Sequence, residues 1–168
     1  TPPALARDDF EYNAYGQLTA HDHAEDGAGR RRRDEYAYYA SGAPRGYLQQ
    51  VVVDASATGR NLTTSYEYDA RGNVLRCVDP RGTPTDVEVN ALNQTVAKQT
   101  QGSSFGEKVR ALYSYDAANN LVQVEVENRD GDGTLDPTNA WLTTQFEYDA
   151  LHRLTRLIEE EGVSVSLT

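Results

Sequence analysis

The sequence has one cysteine, no methionine and no long apolar run, and each absence excludes something. A single cysteine, Cys77, cannot form a disulfide within the chain, so no framework of bridges holds the fold. No stretch of about 18 apolar residues is present, which argues against a membrane-spanning helix. Lys and Arg number 16 against 26 Asp and Glu, and the net charge is -10. We therefore expect no nucleic-acid partner, because neutralising phosphates takes a surplus of cations.

Apolar residues are also scarce, and those present are of particular types. They make up 38% of the chain, and the mean hydropathy is -0.69. Tyrosine is abundant, with 11 residues, and Val and Leu occupy most other apolar positions. Aromatic and β-branched residues favour sheets in which one face stays in water. The composition predicts half-buried β-sheet rather than one compact core.

A pentapeptide recurs six times along the chain. Its copies occupy residues 12–16, 38–42, 68–72, 89–93, 115–119 and 148–152. The second position is Asn or Asp in five copies, and such side chains cap the backbone two residues on and so begin a turn. The third is Ala in all six, and the fifth is Gly, Asn or His, residues that tolerate positive φ. The pattern predicts a type I turn followed by one left-handed residue, which is a hairpin loop with a bulge.

The flanks of these turns have the period of half-buried strands. Apolar and polar residues alternate before each turn, as in residues 66–68 (Tyr-Glu-Tyr), and aliphatic residues follow it. Pro44 and Gly46 interrupt the outgoing strand of the second copy. We expect an all-β fold in which tandem antiparallel hairpins form a curved, spiralling sheet, with residues 1–168 as one array cut from a longer protein. Loop insertions are expected at 23–34, 54–62, 101–108 and 128–140.

The unit Tyr-Asp-Ala-x-Gly, followed by a small polar residue and an aliphatic strand, resembles the YD repeats of Rhs (rearrangement hotspot) proteins. Residues 66–75 and 146–155 carry the strongest match, and the resemblance runs from residue 10 to residue 160. Similar repeats belong to the shell components of bacterial insecticidal toxin complexes and to teneurins. The resemblance implies a β-sheet strip that spirals into a hollow shell. In the toxins the shell encloses a cytotoxic domain, and in teneurins it serves adhesion.

Rhs toxin shells end in a self-cleaving aspartyl site around Asp-Pro-x-Gly-Leu. The nearest string in this chain is residues 79–83 (Asp-Pro-Arg-Gly-Thr), which lacks the Leu and lies between two repeats. Pro and Gly at this spacing are typical of a turn. We interpret the segment as a turn between hairpins and not as a protease site.

One loop has the pattern of a calcium site. Residues 128–139 place oxygen-bearing side chains at loop positions 1, 3, 5 and 9 and Gly at position 6, a spacing that lets alternate side chains converge on one hard cation. The candidate ligands are Asn128, Asp130, Asp132, Thr134 and Asp136. However, Asn139 stands where a bidentate Glu would close the site, and no helices flank the loop. The alternative is a polar turn in a hairpin extension, and no cofactor is required for the fold.

Two other polar clusters have simple explanations. His21, Asp22 and His23, with acidic residues at 25 and 26, suggest a metal site, but no fourth ligand stands at finger-like spacing. We interpret this segment as a solvated polar loop. The arginine run 30–33 has acidic residues on both sides, so we expect ion pairs with those neighbours rather than a nucleic-acid or heparin patch.

Catalytic readings find little support. No Gly-x-Ser-x-Gly elbow is present, and Cys77, in an apolar strand, is expected to be a buried, inert thiol. Turn geometry explains the recurring Asp residues. The expected aromatic ladder is packing rather than a sugar-stacking platform, and it comprises Tyr66, Tyr68, Tyr113, Tyr115 and Tyr148. We therefore expect that this chain is not an enzyme.

Two functions are open from the sequence. The first is a structural segment of a secreted or cell-surface bacterial protein, which builds a shell that encloses or displays a toxin or effector. Its partners are neighbouring repeats and the enclosed domain. The alternative is a carbohydrate-binding or adhesion module on the same scaffold, with a surface glycan as its partner. Edge strands left unpaired at both ends also predict self-association.

Overall fold

The structure is a computed structural model, and it describes residues 6–56, 58–101, 108–130 and 132–159. All twelve regular elements in these ranges are β-strands. The predicted all-β fold of tandem antiparallel hairpins is therefore confirmed. The chain divides into two compact units, residues 1–82 and 83–168. The described part of the chain has no helix with the length and apolarity that a membrane crossing requires.

The first unit holds three hairpins. Its strands are β1 (Asp9–Tyr12), β2 (Leu18–Asp22), β3 (Arg33–Tyr38), β4 (Leu48–Val53), β5 (Leu62–Tyr68) and β6 (Val74–Val78). Each strand pairs antiparallel with the next one in the chain. Such pairing between sequence neighbours needs only local connections.

The second unit repeats this arrangement. Its strands are β7 (Pro84–Val89), β8 (Thr95–Gln101), β9 (Lys108–Tyr115), β10 (Leu121–Glu127), β11 (Trp141–Tyr148) and β12 (Leu154–Glu159). Here too each strand pairs antiparallel with its successor. Residues 102–107, which make up most of the insertion expected at 101–108, lie outside the described residues.

Burial before five of the six turns follows the predicted period of two, whereas residues 10–12 before the first turn are all exposed. Tyr66 and Tyr68 are half-buried, whereas Glu67 between them is exposed. Residues 87–89 and 146–148 alternate in the same way. The core is nonetheless thin, because the only buried apolar residues in the described ranges are Ala20 and Ala97. Within each unit, packing is therefore that of a sheet surface with one half-buried face.

Each hairpin carries the predicted bulge and left-handed residue. The pairing register shifts at the turn end of every hairpin, for example between Glu67 and Tyr68. The fifth pentapeptide residue has positive φ in all six copies, which are Gly16, Gly42, Gly72, Asn93, Asn119 and His152. At position 72 an added Cβ would lie 2.7 Å from the hydroxyl of Tyr47, so any larger residue would require that side chain to move. The prediction of positive φ is confirmed.

The second hairpin has a longer loop than the pentapeptide 38–42 predicts. The N–H of Tyr39 donates to the carbonyl of Tyr47 at 3.0 Å, and the N–H of Gly46 donates to that of Tyr39 at 2.9 Å. These two bonds close the loop between residues 39 and 47, which are eight apart in the chain. In the other pentapeptides the equivalent bond joins residues that are four apart. The reason is that Tyr39 replaces Asn or Asp and has no oxygen placed to cap the backbone two residues on.

The segment at 79–82 is a turn, as expected. The N–H of Gly82 donates to the carbonyl of Asp79 at 2.9 Å, and the N–H of Arg81 donates to Oδ1 of Asp79, also at 2.9 Å. Gly82 has a φ of 82°, which supplies the left-handed residue that the turn needs. Asp79 therefore caps its own turn.

Candidate functional site

The recurrent structure of this chain is a group of hydrogen bonds at the hairpin turn, which we call the turn clip. In the third copy, Oδ1 of Asp69 accepts from the backbone N–H of Arg71 at 2.8 Å and of Asn73 at 2.9 Å. Its Oδ2 accepts from Nδ2 of Asn73 at 2.8 Å. The N–H of Asp69 donates to the carbonyl of Asn73 at 2.9 Å. One carboxylate thus satisfies turn donors that would otherwise depend on water.

The turn clip joins the second position of the pentapeptide to the residue after it, the sixth position. It recurs at the pairs Asn13–Gln17, Asn90–Gln94, Asp116–Asn120 and Asp149–Arg153. Where the second residue is Asp, the sixth is a donor, Asn or Arg. Where the second residue is Asn, its Nδ2 donates to a Gln Oε1, at 2.8 Å in the first copy and 2.6 Å in the fourth.

The pentapeptide pattern did not predict that the sixth residue pairs with the second. Its signal is present, since residues 17, 73, 94, 120 and 153 are Gln, Asn, Gln, Asn and Arg. The pairing is recognisable only when the second and sixth positions are compared within each copy. The capping of the backbone two residues on, which the pentapeptide does predict, is confirmed in all five copies with Asn or Asp.

The turn clip also sets the charge state of its aspartates. Hydrogen bonds from the side chains of Asn73, Asn120 and Arg153 are the largest causes that lower the pKa of Asp69, Asp116 and Asp149 respectively. A general acid or base near neutral pH needs a pKa close to that pH. These carboxylates are instead held ionised as hydrogen-bond acceptors, which suits capping and not proton transfer.

A further turn clip lies between β2 and β3, where the sequence suggested only an insertion at 23–34. Oδ1 of Asp26 accepts from the N–H of Ala28 at 2.8 Å and of Arg30 at 2.9 Å, and its Oδ2 accepts from Nε of Arg30 at 2.9 Å. Gly29 supplies the positive φ of 72°. The motif lacks the Tyr and Ala of the pentapeptide, which is why it was missed.

Neighbouring turns are linked through the sixth position. Nε2 of Gln17 donates to the carbonyl of Gly46, in the next hairpin loop, at 2.7 Å. Nε2 of Gln94 donates to Oδ1 of Asn119 at 3.1 Å. Nδ1 of His152 lies 3.0 Å from an oxygen of the Asn120 side chain. Consecutive hairpins within a unit are therefore tied at their turns as well as along their strands.

The tyrosines of the expected ladder are packed. Tyr66, Tyr68, Tyr113, Tyr115 and Tyr148 are all half-buried. Tyr68 contacts two further rings, with centroids 5.1 Å from Tyr47 and 6.3 Å from Tyr39. The hydroxyl of Tyr39 donates to the carbonyl of Tyr66 at 2.8 Å. These rings support the sheet and each other rather than forming an open platform.

The candidate calcium loop is built as a hairpin extension. The N–H of Asp130 donates to the carbonyl of Thr134 at 2.8 Å, and a bridge pairs Arg129 with Leu135. The extension is closed at its base by the N–H of Asn128, which donates to the carbonyl of Ala140 at 2.9 Å. Gly131, at the fourth loop position, lies outside the described residues.

The carboxylates of this loop already accept local hydrogen bonds. Oδ1 of Asp132 accepts from the N–H and the hydroxyl of Thr134 at 2.9 and 2.7 Å. Oδ1 of Asp136 accepts from the N–H and the hydroxyl of Thr138 at 2.7 and 2.6 Å. These bonds from Thr134 and Thr138 lower the pKa of both carboxyls. Calcium binding by Asn128, Asp130, Asp132, Thr134 and Asp136 stays a prediction.

The arginine run 30–33 is neutralised by neighbouring acids, as expected. Its ion pairs are Arg30–Asp26 at 2.9 Å, Arg31–Asp9 at 2.7 Å, Arg32–Asp34 at 3.1 Å, and Arg33 with Glu11 at 2.9 Å, Asp22 at 2.7 Å and Glu35 at 3.2 Å. Four cations with a carboxylate each leave little free positive charge for a polyanion.

Cys77 differs slightly from expectation, because it is half-buried and not buried. It pairs with Tyr66 across the third hairpin. Asp22, one of the acidic residues considered with the histidines, is engaged by Arg33 at 2.7 Å.

The prediction of a solvated polar loop at 21–23 is wrong, because His21 and Asp22 belong to β2 and all three residues are half-buried. His21 and His23 lie next to Asp8, an arrangement that the local sequence did not suggest.

The fold has solved counterparts. No family model and no curated protein matches the chain. The crystal structure of TcdB2-TccC3-Cdc42 matches 89% of this chain with a TM-score of 0.69 at 16% identity. The crystal structure of TcdB2-TccC3 without hypervariable C-terminal region matches 90% with a TM-score of 0.53 at 15% identity. This chain spans only 7% and 9% of those chains.

Identities this low establish the fold alone. They agree with the hairpins of both units, so the fold of tandem antiparallel hairpins that the YD-repeat resemblance implies is confirmed. The chain has the fold of a short segment of the chains in these two TcdB2-TccC3 structures.

Proposed function

We propose that this chain is a structural segment of a longer, secreted or cell-surface bacterial YD-repeat protein of the Rhs type. In that protein its hairpins form part of a shell that encloses or displays a toxin or effector. The observation that carries the proposal is the turn clip, repeated with matched second and sixth residues in five pentapeptides. Such repetition stabilises many equivalent turns, which a scaffold needs and a single active site does not.

The exposed apolar side chains support the same proposal. Leu75, Leu142 and Leu154 are 37%, 43% and 42% exposed, although each lies in a strand. A wall segment leaves such side chains for neighbouring repeats or for an enclosed domain to cover. Its partners are accordingly the adjoining repeats and the enclosed domain of the same parent protein.

The test is electron cryomicroscopy of the intact parent protein, with limited proteolysis as a second readout. We expect the segment to form part of the shell wall and to be flanked by further hairpins. We also expect a second domain inside the shell that the protease does not reach. Breaking three turn clips together (D69A, D116A and D149A) is expected to expose that domain. The control is E35Q, a change at a side chain that is 51% exposed and belongs to no turn clip, and it should leave the domain protected. A parent in which the segment stands apart from any shell overturns the proposal.

A second candidate function is carbohydrate binding, and one observation favours it. Tyr15, Gln17, Tyr39 and Arg45 line a pocket of about 400 Å³ on the first unit, and Tyr15 is 78% exposed. An exposed ring beside a guanidinium suits stacking on a sugar with a hydrogen bond to its hydroxyls. Glycan-array binding that Y15A removes and Y113F retains supports this function. An array on which the wild-type chain binds nothing excludes it.

Self-association through edge strands is also proposed. β1 is short, it pairs with β2, and its Phe10 and Tyr12 are 51% and 61% exposed. Unpaired strand edges with exposed rings favour pairing between copies. Sedimentation of the 168-residue chain over a concentration series is expected to show dimers that F10K reduces. A monomer at every concentration contradicts the proposal.

A further inference from the structure

Strand pairing at the start of the first unit brings two histidines and an aspartate together. His21 lies on β2, and His23 is the residue just after the end of that strand. Their rings are 3.8 Å apart between centroids, with an interplanar angle of 35°. Phe10, the partner of His21 on β1, stacks on its ring at 4.4 Å. Asp8, which precedes β1, is brought beside both histidines.

The distances within this group suit a metal ion. One ligand atom from each of Asp8, His21 and His23 lies within 4.8 Å of the others. Nε2 of His21 is 3.5 Å from Oδ1 of Asp8. Two ligands of a tetrahedral ion, each about 2.0–2.1 Å from the metal, lie about 3.4 Å apart. The spacing of these two atoms is therefore that of two ligands of one ion.

His21 provides a second, independent observation. Its Nε2 is buried and has no hydrogen-bond partner among the residues that the structure describes. Burying a polar nitrogen without a partner is unfavourable, so such atoms are uncommon and call for an explanation. The Asp8 carboxylate oxygen that lies 3.5 Å from this nitrogen accepts from the N–H of Ala24 at 2.7 Å. That bond holds Asp8 in place facing the histidine.

A second layer of polar contacts orients His23. Its Nε2 lies 2.7 Å from Oδ2 of Asp34, the one buried charged residue of the described ranges, at 5% exposure. Oδ1 of Asp34 accepts from the N–H of Asp54 at 3.0 Å. Metal-binding histidines commonly donate one ring N–H to a carboxylate and so present the other nitrogen to the ion. Asp34 can fill that role for His23.

Arg32 is the group that opposes a cation here. Its Nη2 lies 2.7 Å from Nε2 and 3.5 Å from Nδ1 of His23, and 3.1 Å from Oδ2 of Asp34. A guanidinium and a ring N–H are both donors, so Arg32 must turn away when Nε2–H of His23 donates to Asp34 and Nδ1 faces the ion. The Arg32 side chain is 51% exposed, so it can turn toward solvent, and its charge is offset by the buried carboxylate. Arg31 also lies nearby, but it is paired with Asp9 at 2.7 Å.

We infer that Asp8, His21 and His23 form a binding site for a divalent first-row transition metal ion, Zn²⁺ in the first place. Two imidazoles and one carboxylate are the donors such ions prefer, whereas Ca²⁺ and Mg²⁺ take oxygen ligands alone. Three protein ligands leave one position of a tetrahedral ion for water or another group. The site joins the segment before β1 to β2, and bound metal fastens the edge of the first unit.

The test is calorimetric titration of ZnCl2 into the 168-residue chain, prepared without a polyhistidine tag and stripped of metal. We expect saturable binding of one ion per chain and a rise in melting temperature on binding. Co²⁺ in place of Zn²⁺ is expected to give visible absorption from the bound ion. A negligible heat with Zn²⁺ overturns the inference.

Variants locate the site. H21A is expected to abolish binding, and D8N is expected to weaken it by at least about tenfold. D8N keeps an oxygen that accepts from Ala24, so it decides the outcome even if H21A fails to fold. The control is H152N, since Asn occupies the equivalent turn position elsewhere in the chain, and it should bind as the wild type does. R32A should bind as tightly or more tightly, because it removes the opposing cation. Wild-type affinity in D8N, or in a folded H21A, overturns the inference.

Discussion

The hydroxyl of Tyr115 donates a hydrogen bond of 2.9 Å to the carbonyl oxygen of Thr95. The tyrosine is the first residue of its pentapeptide, and Thr95 begins the strand that leaves the preceding turn. Tyr38 makes the equivalent bond to Leu18, at 2.8 Å. The tyrosine of the repeat therefore does more than pack on the sheet, because it fastens one hairpin to the one before it.

Removing the Tyr115 hydroxyl tests this link. Y115F keeps the ring and is expected to lower the free energy of unfolding by about 1 kcal/mol, the usual net contribution of one hydrogen bond. Urea denaturation followed by circular dichroism measures the change. The control is Y12F, because Tyr12 on β1 is 61% exposed. Loss of its hydroxyl should not measurably change the free energy of unfolding. Equal effects of the two variants would contradict the link.

The buried carboxylate of Asp34 gives a second prediction. It accepts from the N–H of Asp54 and contacts His23 and Arg32. D34A leaves the partly buried N–H of Asp54 without its acceptor and removes the contacts with His23 and Arg32, so the free energy of unfolding is expected to fall by about 1–3 kcal/mol. Thermal and urea denaturation measure it.

The matched control for D34A is E35Q, the next residue of β3. The Glu35 side chain is 51% exposed and pairs with Arg33 at 3.2 Å. Exposed ion pairs contribute little, so E35Q is expected to change the free energy of unfolding by less than about 0.5 kcal/mol. If D34A were as mild as E35Q, the buried network would not stabilise the first unit.

The turn aspartates predict how stability depends on pH. Hydrogen bonds in the folded chain hold the pKa of Asp69, Asp116 and Asp149 below the ordinary value of 3.8. A carboxyl with a lowered folded pKa contributes its stability fully above the unfolded pKa and loses it as the pH falls through the folded one. We expect the melting temperature to hold down to about pH 5 and to fall below about pH 4. A melting temperature that stays constant to pH 2 would contradict this.

Much of the hairpin could be read from the sequence. The pentapeptide fixes where strands end, because Asn or Asp at its second position and Gly, Asn or His at its fifth each have a local backbone role. The alternation in segments such as 66–68 fixes which face is buried. These are short-range rules, and the structure confirms them in both units.

The features that the sequence did not predict require either a comparison between copies of the repeat or contacts between residues far apart in the chain. The pairing of Asp69 with Asn73 emerges only when copies are compared. The approach of Asp8 to His23 needs the register of β1 on β2, which no local pattern specifies. The loop at 39–47 grew because a tyrosine stands where the other copies have a cap, and the sequence alone does not say how far such a loop extends.

The predicted calcium site at 128–139 is tested by a separate titration. A calcium loop predicts saturable heat on titration with CaCl2, a rise in melting temperature, and loss of both in D132N. D149N, a turn clip variant in another hairpin, is the control and should retain them. Without heat or thermal shift in the wild type, Asp132 and Asp136 are turn caps of a hairpin extension.

The central claim is that the turn clip stabilises each hairpin, and a second natural pair of residues in the same chain allows a direct test. Asp69 and Asn73 can be exchanged for the other natural pair by making D69N/N73Q, which is the combination at 13 and 17 and at 90 and 94. We expect D69A to lower the melting temperature by several degrees, because the turn loses its cap. The double variant is expected to melt close to the wild type. If D69N/N73Q is destabilised as much as D69A, the second and sixth residues do not act as an interchangeable pair, and the turn clip is not what holds these hairpins.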